Sequence, residues 1–343
     1  MTSPIPRISV ILPVRDAEKT LAVAVESILG QTERNLELLV VDDASTDASP
    51  RILREFAEFD GRIRVLSTVK PGIVEALNLG LAEARGPYLA RMDADDISLP
   101  TRLSLQCDFL DANPEVGLVS CRVEHWSGDE ERRKGYETYV EWINELVEDT
   151  DIRLRRFVES PFAHPSVVFR KSLAGTYGAY RSGLFPEDYE LWLRWLECGV
   201  KMEKLDAILL RWRDHDCRLS RIDPRYSVEA FYEMKLEYLH RWLKDNNCHF
   251  PKVKIWGAGR ITRSRVKFLS NAGTVISGFY DVDPRKVGNP RTGLMVQLIE
   301  DIPEPGEEFI VAMVGARGAR EKVGAFLRDR GHREGVDYVF AAS

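Results

Sequence analysis

The apolar positions of the first hundred residues fall into short, nearly unbroken runs separated by helical stripes. Ile8 to Val14, Leu38 to Val41, Ile63 to Leu66 and Tyr88 to Met92 are runs of strand length and predict buried strands. Between them, Leu21, Val25, Ile28 and Leu29, then Ile52, Leu53 and Phe56, then Ile73, Leu77, Leu81 and Ala84 each mark one face of a helix. Pro13 has no ladder donor and predicts the end of the first strand. Asp16 is placed to cap the helix that follows. Gly86-Pro87 closes the third helix. Strand and helix in strict alternation predict a mostly parallel α/β sheet, and such sheets bind ligands at the carboxyl ends of their strands.

The pattern is looser downstream. Residues 137 to 158 predict charged helix with Trp142, Ile143 and Leu146 on its buried side. Leu191, Trp192, Trp195 and Leu196 predict another helix, ended at Gly199. Leu209 begins a strand that runs into a basic, His-bearing turn ending at Asp216. Residues 226 to 244 predict a long helix with Phe231, Met234 (or Lys235), Tyr238 and Trp242 on its core stripe. Polar residues 244 to 247, then Pro251, mark the expected boundary between domains 1–247 and 248–343.

Composition narrows the classes. A chain of 343 residues suits two domains. With 44% hydrophobic and 30% charged residues it reads as soluble and globular. A net charge of -6 argues against nucleic-acid binding. No run reaches the ~18 apolar residues of a membrane span, and Met1 to Pro6 lacks a signal-peptide layout. The five cysteines (Cys107, Cys121, Cys198, Cys217, Cys248) are scattered without a Cys-x-x-Cys pair, which suits reduced thiols in the cytoplasm.

The candidate chemistry is acidic. Asp42-Asp43 and Asp93-Ala94-Asp95-Asp96 both follow predicted strands. Crowded carboxylates repel one another and persist with a partner, typically a hard divalent cation. The alternative is a solvated acidic turn, with Asp96 starting the helix of Leu103, Cys107 and Leu110. Glu187-Asp188 begins a predicted helix, where acids also simply complement the dipole.

Ser9 to Glu18, Ser27 to Thr32, Glu37 to Asp47 and Asp93 to Asp96 together resemble the family-2 inverting glycosyltransferases of GT-A fold, over roughly residues 7 to 220. The chain departs from the family's habit at Asp16, usually Asn, and at Ala44, often Gly. The resemblance implies a nucleotide-sugar donor, with Pro13, Val14, Asp16, Asp42 and Asp43 toward the nucleoside. A carboxylate there suits a uridine donor. Asp93 and Asp95 correspond to the Asp-x-Asp motif holding Mn²⁺ or Mg²⁺, with Asp93 also toward the ribose. Phe162 to Arg170 also matches the family and offers His164 near the diphosphate or acceptor, against an equal reading as a satisfied structural histidine. Glu187-Asp188 resembles the family's Glu-Asp motif, with Asp188 the general base and Glu187 its support. Arg213, His215 and Ser220 fit an Arg-x-His pattern with a downstream Ser, so that His215 would join the metal shell or contact the diphosphate and Arg213 or Arg218 would offset phosphate charge, against an equal reading as a surface loop. The polar stretch Ser127 to Lys134 is expected as a loop on the acceptor side. The implied acceptor is a saccharide or lipid-linked saccharide of surface polysaccharide assembly, which allows a cytoplasmic enzyme at the inner face of the membrane.

Val253 to Thr262 reads as a strand, a glycine turn (Gly257, Gly259) and a helix start, with Asp281 where a ribose-binding acid is expected. The third glycine of a dinucleotide fingerprint is Thr262. At about 90 residues the segment is short for a full dinucleotide domain, so a small Rossmann-like appendage without NAD is expected, serving anion binding, docking or oligomerisation. Two rivals follow: an NAD(P)-linked oxidoreductase centred on Gly257 and Gly259, and an inactive nucleotide-sugar-binding protein.

Overall fold

The computed structural model describes residues 5–126, 134–215, 218–288, 293–316 and 318–342. Ser127 to Arg133 of the expected acceptor-side loop, Asp216-Cys217 and Arg317 lie outside the described residues. The chain forms two units: Met1–Ile152 with Pro161–Gly183 and Glu187–Ile222, and Arg153–Ser160 with Leu184–Pro186 and Asp223–Ser343. The second begins before residue 247, because the helix at 228–246 belongs to it.

In the first unit the order is β1 (Ile8–Val14), α1 (Leu21–Leu29), β2 (Leu36–Asp42), α2 (Ser49–Phe59), β3 (Ile63–Ser67), α3 (Ile73–Glu83), β4 (Tyr88–Arg91), β5 (Ile97–Ser98), α4 (Arg102–Ala112), β6 (Val116–Trp126) and α5 (Lys134–Glu145). After α6 (Asp149–Arg155) come β7 (Val168–Arg170), α7 (Ser172–Tyr177), α8 (Glu187–Glu197), β8 (Lys201–Arg213) and α9 (Leu219–Ile222). The sheet order is β3-β2-β1-β4-β7-β6-β8-β5. The pairs β3-β2, β2-β1, β1-β4 and β6-β8 are parallel, while β7 runs antiparallel to β4 and β6, and β5 antiparallel to β8.

The unbroken apolar runs have a simple cause. All seven positions of β1 are buried because helices cover both faces of the sheet. Ile8, Val10 and Leu12 join one core with α1 and α4, whereas Ile11 and Leu39 join the other with α3 and α8. Pro13 does not end β1, which continues to Val14. The β4 pairing stops at Ile11, so the strand edge that would need the Pro13 N–H has no partner there.

The second unit contains α10 (Val228–Asn246), β9 (Lys252–Trp256), α11 (Arg260–Asn271), β10 (Val275–Asp281), β11 (Val296–Leu298), β12 (Ile310–Ala312), α12 (Ala319–Asp329) and β13 (Tyr338–Phe340). Its five strands are all parallel, in the order β11-β10-β9-β12-β13. This is the expected Rossmann-like arrangement. Asp281 accepts from the Ala258 N–H at 2.8 Å and pairs with Lys286 at 2.9 Å, so its carboxylate secures the glycine turn. Thr262, standing where the fingerprint has glycine, donates its hydroxyl to the Met313 carbonyl at 2.9 Å and ties α11 to the end of β12.

Candidate active site

The loops after β1 and β2 interlock at the carboxyl edge of the sheet. Asp16 does not cap α1, which starts after Thr20. Its carboxylate instead accepts from the Thr46 N–H at 2.7 Å and the Thr46 hydroxyl at 3.2 Å. The Glu18 N–H donates to Asp47, and the Ala48 N–H donates back to Glu18. Asp43 donates its N–H to the Val14 carbonyl at 2.8 Å, which brings Pro13, Val14, Asp42 and Asp43 to one edge.

Asp16 and Ala44, the two departures from the family's habit, have φ of 48° and 58°. These are left-handed conformations in which a Cβ is disfavoured and Asn or Gly is at ease. Ala44 is exposed, so its methyl contributes no packing. Ala44→Gly is expected to stabilise the unit by about 1 kcal/mol. Thermal denaturation should show a midpoint raised by roughly 2–4 °C.

The second strand end carries the acidic cluster. Asp93, Asp95 and Asp96 each present an oxygen within 4.8 Å of the others. Asp96 does not begin a helix. It is buried, and the chain passes through β5 before α4. One oxygen of Asp96 accepts from the Arg213 N–H at 2.8 Å; the other is buried without a hydrogen-bond partner among the described residues. Burial, then the neighbouring Asp95 and Asp93, raise the proton affinity of Asp96 well above that of an ordinary carboxyl. Burial also raises Asp93 despite its ion pair with Arg91. Asp95 goes the other way. Burial opposes its ionisation, but the His215 hydrogen bond at 2.7 Å and the charge of Arg218 prevail and hold it low.

His215 therefore stands at the cluster, beside Asp95. The guanidinium of Arg213 does not; it stacks on Trp126 at 4.3 Å, and only its backbone reaches Asp96. The charge facing the cluster is Arg218, stacked over Trp212 at 4.4 Å and bonded to the Tyr136 hydroxyl. Arg91 was not singled out by the sequence. A charged residue closing the apolar run Tyr88-Leu89-Ala90 was the available signal. It is buried, pairs with Asp93, and acts electrostatically on Tyr180 and Asp96 as well.

The third group of residues lies on α8. Glu187 is buried and Asp188 partly accessible at its first turn. Burial and the adjacent Glu187 push the Asp188 carboxyl up to about 7. The helix is locked behind it: Arg194 pairs with Glu190 at 3.0 Å and donates to the carbonyls of Gly178 and Ala179, and Trp192 packs edge-on against Phe162 and Trp195. His164 bonds the Tyr180 hydroxyl at 2.7 Å, and its own burial, with Arg91 nearby, keeps it neutral far below the usual histidine range. It sits in the wall of the site as a satisfied residue.

Residues 9–178 match the family model described as Glycosyl transferase family 2. EpsE of Bacillus subtilis (strain 168) is 33% identical over 229 residues, which cover 65% of this chain and 79% of EpsE. The chain belongs to glycosyltransferase family 2. The O-antigen biosynthesis glycosyltransferase WbnJ of Escherichia coli is 29% identical to this glycosyltransferase over 243 residues, covering 69% of the chain and 89% of WbnJ. The amylovoran biosynthesis glycosyltransferase AmsE of Erwinia amylovora is 31% identical over 208 residues, covering 60% and 75%. Among solved structures, S. aureus TarS 1-349 in complex with UDP-GlcNAc superposes with a TM-score of 0.55 at 16% identity, over 78% of this chain and 71% of that one. Of a longer TarS chain the glycosyltransferase spans 40%. These superpositions establish the shared fold.

Proposed function

We propose that the chain is an inverting, metal-assisted transferase. It would move a sugar from a nucleoside diphosphate, UDP by preference, to a hydroxyl of a saccharide or lipid-linked saccharide. The observation that carries this reading is the presence of two carboxylate sets, a trio of mutually close oxygens after β4 and the Glu187-Asp188 pair at the start of α8. Transfer with inversion uses both.

The donor set at Asp93, Asp95 and Asp96 is all oxygen, and it includes a buried oxygen without a protein partner among the described residues. This fits Mn²⁺ or Mg²⁺, with His215 beside Asp95. When bound, such an ion stabilises negative charge on the departing diphosphate as a Lewis acid. Arg218 adds positive charge from the same side. The nucleoside is held at the ends of β1 and β2, near Pro13, Val14 and Asp42. Asp188 takes the proton of the acceptor hydroxyl as it attacks from the face opposite the diphosphate. Glu187, buried beside it, raises its basicity. A lipid-linked acceptor would bring the enzyme to a membrane face. Among the described residues no helix is long and apolar enough to cross a membrane.

Thermal denaturation with UDP, GDP, dTDP and NAD, each with and without Mn²⁺, tests the reading. A nucleotide at 100 times its Kd adds about 2.7 kcal/mol, roughly several degrees here. A Mn²⁺-dependent rise with one nucleoside diphosphate is expected. A rise with NAD alone would move the activity to the second unit and overturn the proposal.

A further inference from the structure

Three groups that act on the acidic trio come from one stretch at and just beyond the end of β8. They are the Arg213 N–H on Asp96, the His215 ring on Asp95 and the charge of Arg218. A chain leaving a sheet holds such groups in fixed places only if something anchors it. The side chain of Asp214, between two of them, is placed to do so.

Successive side chains of an extended chain point to opposite sides. Across β6 and β8, His125 stands opposite Trp212 and Trp126 opposite Arg213. Arg213 stacks on Trp126. The rings of His125 and Trp212 lie on the other side and pack on Tyr136 of α5, at 5.4 and 5.2 Å. Asp214 prolongs the ladder by donating its N–H to the Trp126 carbonyl at 2.8 Å, and its side chain joins the His125 side. There the carboxylate is 2% exposed. One oxygen lies 2.5 Å from Arg221 and the other 3.4 Å from His125 Nε2. A carboxylate withdrawn this far from water persists only when paired. His125 is itself buried, and among the described residues neither of its ring nitrogens completes a hydrogen bond, so its approach to Asp214 is an ion-pair contact without a competitor of that kind. Arg218 and Arg221 both lie over the Tyr136 ring, at 4.9 and 5.9 Å, so the two sides of the anchor share one aromatic support.

We infer that Asp214, gripped by His125 and Arg221, is a positioning residue that fixes the end of β8 so that His215 meets Asp95 and Arg218 faces the trio. The inference rests on the metal-assisted reading above. The role is geometric, and the sign of its effect distinguishes it from an electrostatic one. One more anion near the site repels an anionic diphosphate, so on charge alone its removal would tighten binding. Loss of the anchor would weaken it.

Calorimetric titration of the full chain with Mn²⁺ alone, and with UDP or GDP in Mn²⁺, tests the assignment. Asp214→Ala should weaken binding of the ion and of the nucleotide by about 10–100-fold, the usual cost of losing a residue that orients a metal ligand. Asp214→Asn keeps an oxygen for Arg221 and should recover most of that loss. His125→Phe and Arg221→Met each remove one arm of the grip. They should fall between wild type and Asp214→Ala, and they carry the test if Asp214→Ala does not fold. A merely structural role would lower the thermal midpoint and leave the affinities as they were. Unchanged or tighter binding in Asp214→Ala, or in both arm variants where Asp214→Ala does not fold, overturns the assignment. So does a loss as large in Asp214→Asn as in Asp214→Ala, which would make the effect one of charge. Each of these outcomes leaves the transferase reading in place. A wild type whose binding of UDP and GDP ignores Mn²⁺ overturns the metal-assisted reading and the assignment together.

Discussion

Replacing Asp188 by Asn should lower sugar transfer by about 10²–10⁴-fold, the usual contribution of a general base, with nucleotide binding nearly unchanged. The amide keeps the shape of the side chain and cannot take a proton. The wild-type carboxyl is already pushed up to about 7 by burial and Glu187. Transfer by the wild type should therefore fall as pH drops below about 7, as the base becomes protonated. The same shift bears on stability. Between the ordinary carboxyl value of 3.8 and about 7, the unfolded chain has lost this proton while the folded chain keeps it. Ionisation thus costs stability progressively as pH rises through that window. Asp188→Asn escapes the cost, so its midpoint at pH 7 should equal or exceed that of wild type, and the gain should disappear near pH 4. Initial rates and thermal midpoints across pH 4 to 9 check both halves. Full transfer by the variant would remove Asp188 from its role.

The second large effect is expected at Asp95. Its carboxylate is the one member of the trio held low, by the His215 hydrogen bond and the charge of Arg218 against the cost of burial. It is the anion most ready to meet a cation. Asp95→Ala should abolish the Mn²⁺-dependent part of nucleotide stabilisation, about 2.7 kcal/mol at 100 times Kd, and reduce transfer to background. Chelation of the wild type should reproduce the loss, and added Mn²⁺ should reverse it only where Asp95 is intact. Calorimetry with Mn²⁺ alone provides a reading independent of turnover. Undiminished Mn²⁺ binding by the variant would place the ion elsewhere.

Much of the first half of the first unit was legible because burial on both faces forces unbroken apolar runs, and β1 to β4 emerge where the runs lie. The two-residue β5 and three-residue β7 carry no period to read. The acidic trio was visible, but the burial of Asp96 was not, because it depends on β8 bringing the Arg213 backbone against it. Arg213 and Arg218 look alike in sequence. What separates them is the aromatic setting, Trp126 for one, Tyr136 with Trp212 for the other, and Trp126 and Tyr136 come from far along the chain. Asp16 illustrates a local rule overridden. Its capping preference yields to a partner at Thr46 that only sheet pairing brings near.

The rigidity behind Asp188 has a consequence for redesign. Its helix is held by Arg194, Trp192 and Trp195. If Asp188 is the proton acceptor, that acceptor is a fixed point in space, and the choice of hydroxyl belongs to whatever grips the incoming sugar. Exchanging acceptor-binding loops between relatives should then redirect which linkage is made, with the catalytic helix carried over untouched.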